Sequence, residues 1–199
     1  MELFCELRWV IFRLQAALRP ANAGGLSLGR DVWDQQLDRL CLARARILLR
    51  QLLRGTPNWS AGHLRLGFVE FALSRLGGRD PRSVIAARLS AEATLSLLAL
   101  GGRSERGERL RARAQALLGR IQMSEGDQQA AIAFFESVLR ARELFRADVR
   151  FLYEILEDLG GSLMSIGQYE ESKQAFRSIP EQFRSPQTAA ALDFLAARS

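Results

Sequence analysis

The chain has 199 residues, enough for one full core or a short run of about four helix pairs. Hydrophobic residues make up 48% and charged residues 25%, so there is enough apolar surface to offset the entropy of ordering, which excludes a disordered chain. The net charge of +6 rests on arginine, with Lys173 the only lysine; residues 1–111 hold 18 cations against 10 acids and residues 112–199 hold 10 against 12.

Leu, Ala, Arg, Glu and Gln dominate, and no Val/Ile/Thr run alternates with polar residues, so the chain reads as all-α. About nine helices are expected, at roughly 2–18, 31–54, 57–76, 81–100, 104–123, 127–145, 148–165, 168–178 and 186–197. The first carries one apolar stripe: Leu3, Phe4, Leu7, Val10, Ile11, Leu14 and Leu18. It is expected to dock on the 31–54 helix as an N-terminal hairpin spanning 1–55, with a membrane surface or a second protomer as alternatives. Glu2, Glu6, Arg8 and Arg13 interrupt residues 1–19, which argues against a signal peptide or a spanning helix there and makes cytoplasmic residence the default expectation.

Residues 20–30 form the one loop long enough to act as a linker. Asp31, followed by Asp34, is the expected cap of the second helix. Trp33, Leu37, Leu40, Cys41, Ile47, Leu48 and Leu52 then recur at helical spacing until Gly55. On the same helix Arg39, Arg46, Arg50 and Arg54 fall within about 80° of one another, a stripe able to meet phosphates or an acidic protein. Arginine is also a good exposed helix former, and no aromatic residue is interleaved for base stacking, so a solvated face is the competing reading. An arginine bias of genomic origin would look the same.

Thr56-Pro57, Asp80-Pro81 and Ser185-Pro186 each place proline where a helix should open. Gly77-Gly78, Gly101-Gly102, Gly126 and Gly167 each follow an amphipathic run and mark its end. Connections this short pack sequence neighbours as antiparallel hairpins.

Self-comparison exposes a repeat over the C-terminal part. In a window beginning at Tyr153, Leu159, Gly160, Leu163, Gly167, Tyr169, Ser172 and Phe176 stand at places 7, 8, 11, 15, 17, 20 and 24, with Leu159-Gly160 filling the first two. A window beginning at Ala112 repeats Leu118-Gly119, Gly126, Ala131 and Phe135 at the same offsets, with Gln122 and Gln128 in place of larger residues. A third, from Ser60, keeps only Leu66-Gly67. A glycine inside a helix costs about 1 kcal/mol relative to alanine, so Gly119 and Gly160 call for close helix contact as their reason.

On these residues the chain resembles the tetratricopeptide-repeat superfamily over residues 57–199, in a long-helix variant, since Gly126 and Gly167 lie farther apart than the usual 34 residues. The resemblance implies a right-handed superhelical stack of antiparallel hairpins, with repeats over 56–199 and a terminal capping helix at 186–197. It also implies a concave groove lined by places 2, 5, 9 and 12 of each first helix. Here these are Arg113, Ala116, Arg120 and Met123, then Glu154, Glu157, Gly161 and Met164. Such a groove suits an amphipathic or extended segment of another protein. The competing reading is that these charges pair with one another across the stack. The carboxylate clamp of chaperone-binding relatives is not matched.

Catalysis fails on inventory. His63 is the only histidine, which leaves no multi-histidine metal site, and its place beside Leu64 and Leu66 suggests a structural role. Lys173 has no glycine-rich loop before it, and the glycine pairs follow no strand. Cys5 and Cys41 form no CxxC pair, while Glu157-Asp158 and Glu170-Glu171 read as solvated acids rather than dyads. The expectation is a non-enzymatic scaffold or adaptor without cofactor or metal. The alternative is a nucleic-acid-binding or regulatory helical repeat using the arginine-rich half, and self-association through 1–18 stays open.

Overall fold

A computed structural model describes residues 28–76, 80–101 and 103–197. The helix expected at 2–18, its possible self-association surface, Cys5 and the glycine pair 77–78 lie outside the described residues. Among those described there are eight α-helices, two short 3-10 turns and no strand. The chain divides into two compact units, Met1–Leu100 and Gly101–Ser199, so the helices expected at 57–76 and 81–100 group with the one at 31–54.

The first unit contains α1 (Leu28–Gly55), α2 (Ser60–Leu76) and α3 (Pro81–Leu100). Helix α1 begins at Leu28, so Asp31 lies inside it rather than capping it. Its buried row is Leu42, Ala45, Leu49 and Leu53, spaced three and four apart, and the first three pack on Val69, Ala72 and Leu73 of α2. Leu40 and Ile47, counted above with the apolar face, are 68% and 55% exposed. The helix therefore carries two apolar rows, and only one of them is packed on α2.

Helix α2 opens at Ser60, three residues after Pro57. The Thr56 hydroxyl donates to the Leu52 carbonyl (2.8 Å), and the chain turns before helical bonds resume at Trp59. His63 is half-buried and its Nε2 donates to the Pro57 carbonyl at 2.8 Å, pinning this turn. Helix α3 opens at Pro81 as expected. The Asp80 carboxylate accepts from the Arg82 N–H (3.2 Å), a donor the helix start leaves free, and from the Ser83 hydroxyl (2.8 Å). The Ser83 bond is the main reason its carboxyl lies below the ordinary value of 3.8.

The inner face of α3 is built of small residues, Ala87, Ser90, Ala91 and Thr94, all buried, which lets α2 approach closely. Thr94 donates to Ser90 in its own helix and lies 3.3 Å from the Ser60 carbonyl of α2. By length and composition α3 is the one described helix apolar enough to cross a membrane, and its outer face exposes Ile85 and Leu89.

The second unit runs α4 (Glu105–Glu125), α5 (Gln128–Arg140), α6 (Val149–Ser165), α7 (Tyr169–Arg177) and α8 (Pro186–Ala196), with 3-10 turns at Arg142–Phe145 and Glu181–Phe183. The helix expected to reach 145 stops at Arg140. Phe145 then folds under, 2% exposed, with its ring 4.7 Å from Phe151. This turn accounts for part of the 41 residues between Gly126 and Gly167. The early start of α6 at Val149, four residues ahead of its window at Tyr153, lies in the same stretch.

The core of this unit is Phe135, Val138, Ile155 and Phe145 at 0–2% exposure, with Ala112, Ala116 and Ala131 between them. Side chains this deeply packed are worth about 3–5 kcal/mol each for phenylalanine when truncated to alanine.

Candidate functional site

The candidate site is the face on which the first helices of the two hairpins, α4 and α6, meet. Each hairpin is closed by the same device. Gly126 and Gly167 stand at φ +92° and +81°, a left-handed geometry that glycine adopts without steric cost. The N–H of the residue after each reaches back into the helix: Asp127 to the Gln122 carbonyl and Gln168 to the Leu163 carbonyl, both at 3.0 Å. The second helix then folds onto the first at place 8. A β-carbon on Gly119 would stand 2.7 Å from the Phe135 ring, and one on Gly160 would stand 2.6 Å from Phe176. In the second hairpin Ser172, 0% exposed, donates to the Gly160 carbonyl at 2.8 Å and ties the same crossing by a hydrogen bond.

With the hairpins fixed in this way, α4 and α6 are joined by charge. Arg113 Nη2 lies 2.5 Å from Asp148 Oδ2, and its guanidinium also sits 5.3 Å from the Phe151 ring centre. Asp148 precedes α6 but makes no side-chain cap there; its carboxylate turns to Arg113 instead. Arg120 donates from Nε to Asp158 at 2.7 Å and from Nη2 to Glu154 at 3.3 Å. Burial alone would lower the Arg120 pKa, but the charges of Asp158 and Glu154 outweigh it and hold the guanidinium protonated above its ordinary value. Its side chain is only 18% exposed, so the pair is screened less than an ordinary surface bridge.

Glu157 bonds to the start of α8 instead. Its Oε1 accepts from the Ser185 N–H (3.1 Å) and the Thr188 hydroxyl (2.7 Å), which seats the start of α8. Ser185 caps that helix by accepting from the Thr188 N–H at 3.1 Å, as Ser185-Pro186 suggested.

The expected groove residues therefore meet five different fates. Arg113, Arg120 and Glu154 lie on one face and are bonded within the unit. Glu157 is committed to α8. Met123 and Met164 are half-buried, and Met123 packs against the core. Ala116 is 0% exposed and belongs to the core, not to a groove surface. Gly161 is half-buried, and a β-carbon built on it meets no atom within 4 Å, which leaves open space beside the C-terminal part of α6. Asp148, Asp158 and Thr188 complete these bonds and were not anticipated. Glu157 and Asp158 do not act as one solvated pair: they point to different helices, while Glu170 and Glu171 are exposed at the start of α7.

The arginine stripe is split in a similar way. Arg39 and Arg54 are exposed. Arg50 Nη2 lies 2.7 Å from Oε1 of Glu70, and Arg46 Nη1 lies 3.8 Å from its Oε2. Glu70 is 1% exposed, so these arginines neutralise a buried carboxylate of α2 rather than present a uniform solvated row.

Comparison with protein families agrees with this geometry. Residues 112–143 match the family model described as "Tetratricopeptide repeat", and the match starts at the first residue of the Ala112 window. No curated protein matches the chain. The left-handed turn at Gly126 and the glycine–phenylalanine crossing of the matched segment recur at Gly167 and Gly160–Phe176. The chain thus carries a repeat of the tetratricopeptide type at residues 112–143.

Proposed function

We propose that the chain is a non-catalytic adaptor that holds a segment of another protein against the α4/α6 face. The observation that carries this reading is the tetratricopeptide match at 112–143, because repeats of this class generally mediate binding to other proteins or peptides. The α6 side of the face offers open space at Gly161, and Met123 of α4 and Met164 of α6 are half-buried. Methionine is unbranched and polarizable, which suits a surface that adapts to a bound segment. Arg113, Arg120 and Glu154 are already paired within the unit, so the bound segment is held mainly by apolar contact.

A phosphate-binding role for the arginine stripe is weaker, since two of its four side chains serve Glu70. The test is capture from nuclease-treated lysate of the source cell with wild type and Gly161→Trp. A β-carbon at this position meets no atom within 4 Å, so the larger side chain starts out into open space. A defined protein retained by wild type and lost by the variant supports the adaptor reading. Equal retention by both, or loss on nuclease treatment alone, rejects it.

A further inference from the structure

We propose that the turn joining α5 to α6 is a second docking surface, which takes an acidic segment of another protein on Arg142 and Arg146. This goes beyond the adaptor reading and does not depend on it, because neither arginine belongs to the α4/α6 face. The chain from 140 to 150 holds four arginines, Arg140, Arg142, Arg146 and Arg150, all exposed. Two acids stand among them, and one of these, Asp148, is turned to Arg113. That leaves Glu143 alone against four cations. The bias is local. Residues 101–199 hold 14 cations and 14 acids, so an arginine-rich composition does not account for the concentration.

The turn is fixed from below. Phe145 is 2% exposed and packs on Phe151, Leu144 lies against the same core, and the Asp148 N–H donates to the Phe145 carbonyl at 2.8 Å. With these apolar side chains anchored, Arg142 and Arg146 stand outward at 73% and 83% exposure. Both reach Glu143. Arg146 donates to its Oε2 from Nε at 2.7 Å and also from Nη2, while Arg142 Nε lies 3.9 Å from its Oε1. One carboxylate thus brings two guanidinium groups together, which defines where a carboxylate of another chain would sit. Glu143 is itself 62% exposed, so water screens these pairs and they exchange readily. The backbone beneath is already ordered, so an incoming acid has only side chains to order. Phe145 and Phe151 are both buried, which leaves no exposed ring among the four arginines for base stacking. The surface therefore fits carboxylates better than single-stranded nucleic acid.

The probe is a fluorescent peptide of alternating glutamate and alanine, with its glutamine counterpart as control. Each is titrated against the full chain at low ionic strength and followed by anisotropy. The glutamate peptide should bind and the glutamine peptide should not. Arg142→Gln/Arg146→Gln should weaken binding about fivefold or more. Arg39→Gln/Arg54→Gln removes the same charge from exposed positions of α1 and should change binding less than about twofold. Glu143→Gln removes the internal competitor and should strengthen binding about twofold or more. Every substituted side chain is exposed, so none of these changes touches the core. No binding of the glutamate peptide, equal loss in the two double variants, or no gain in Glu143→Gln would each overturn the proposal. So would displacement of the peptide from Arg142 and Arg146 by a lower concentration of a single-stranded oligonucleotide of equal charge.

Discussion

Phe176 occupies the space where a side chain on Gly160 would begin: the ring lies 2.6 Å from an ideal β-carbon position. One residue on, Gly161 faces open space. The two neighbouring glycines therefore respond to the same substitution in opposite senses. Gly161→Ala should stabilise by up to ~1 kcal/mol through helix propensity. Gly160→Ala should destabilise by about 1–3 kcal/mol despite the same propensity gain, since the ring must move from a packed core. Urea unfolding of the two single variants checks this. Gly160→Ala/Phe176→Leu should recover part of the loss.

Glu157 ties α6 to the start of α8 through two hydrogen bonds. Glu157→Ala should release Pro186–Ala196, seen as faster amide exchange confined to that helix, at a cost of roughly 1–3 kcal/mol for the lost bonds. Glu157→Gln keeps an acceptor at the same place and should change exchange far less.

The repeat was legible from single positions because its contacts are local. Gly126 with Gly167, Gly119 with Phe135, and Ser185 before Pro186 all act within one hairpin or one cap, where spacing alone sets the geometry. The charge network was not legible in the same way. Arg120 and Asp158 are 38 residues apart, and Arg50 and Glu70 are 20 apart. Their pairing depends on how helices align after folding, which sequence spacing does not encode. Periodicity also could not choose between the two apolar rows of α1, so Leu40 and Ile47 were counted with the packed face although they point away from α2. Pro57 suggested an earlier helix start than Ser60 because the bond from Thr56 to Leu52 is a tertiary-independent turn with no strong signature.

Glu70 is the most buried carboxylate described, and Arg50 is its nearest cation. Arg50→Met should destabilise the first unit by about 1–2 kcal/mol, because Arg50 is half exposed and Arg46 remains nearby. Arg46→Met/Arg50→Met leaves the buried charge without either cation and should cost more than the sum of the single changes. Thermal unfolding of the three variants checks the coupling.

Asp80 caps α3 with a carboxyl held below 3.8, chiefly by the Ser83 hydroxyl. A folded value below the unfolded one means the cap stabilises above that range and is lost as pH falls through it. Denaturation of wild type and Asp80→Ala between pH 6 and pH 2.5 should show a stability gap that closes on acidification. Ser83→Ala should narrow the gap at neutral pH.

The most direct measurement is amide exchange on the full chain, alone and saturated with the protein segment captured by wild type but not by Gly161→Trp. Binding on the α4/α6 face predicts new protection in residues 113–125 and 154–166, with the first unit unchanged. Protection confined to α1–α3, or spread evenly over the chain, would contradict it.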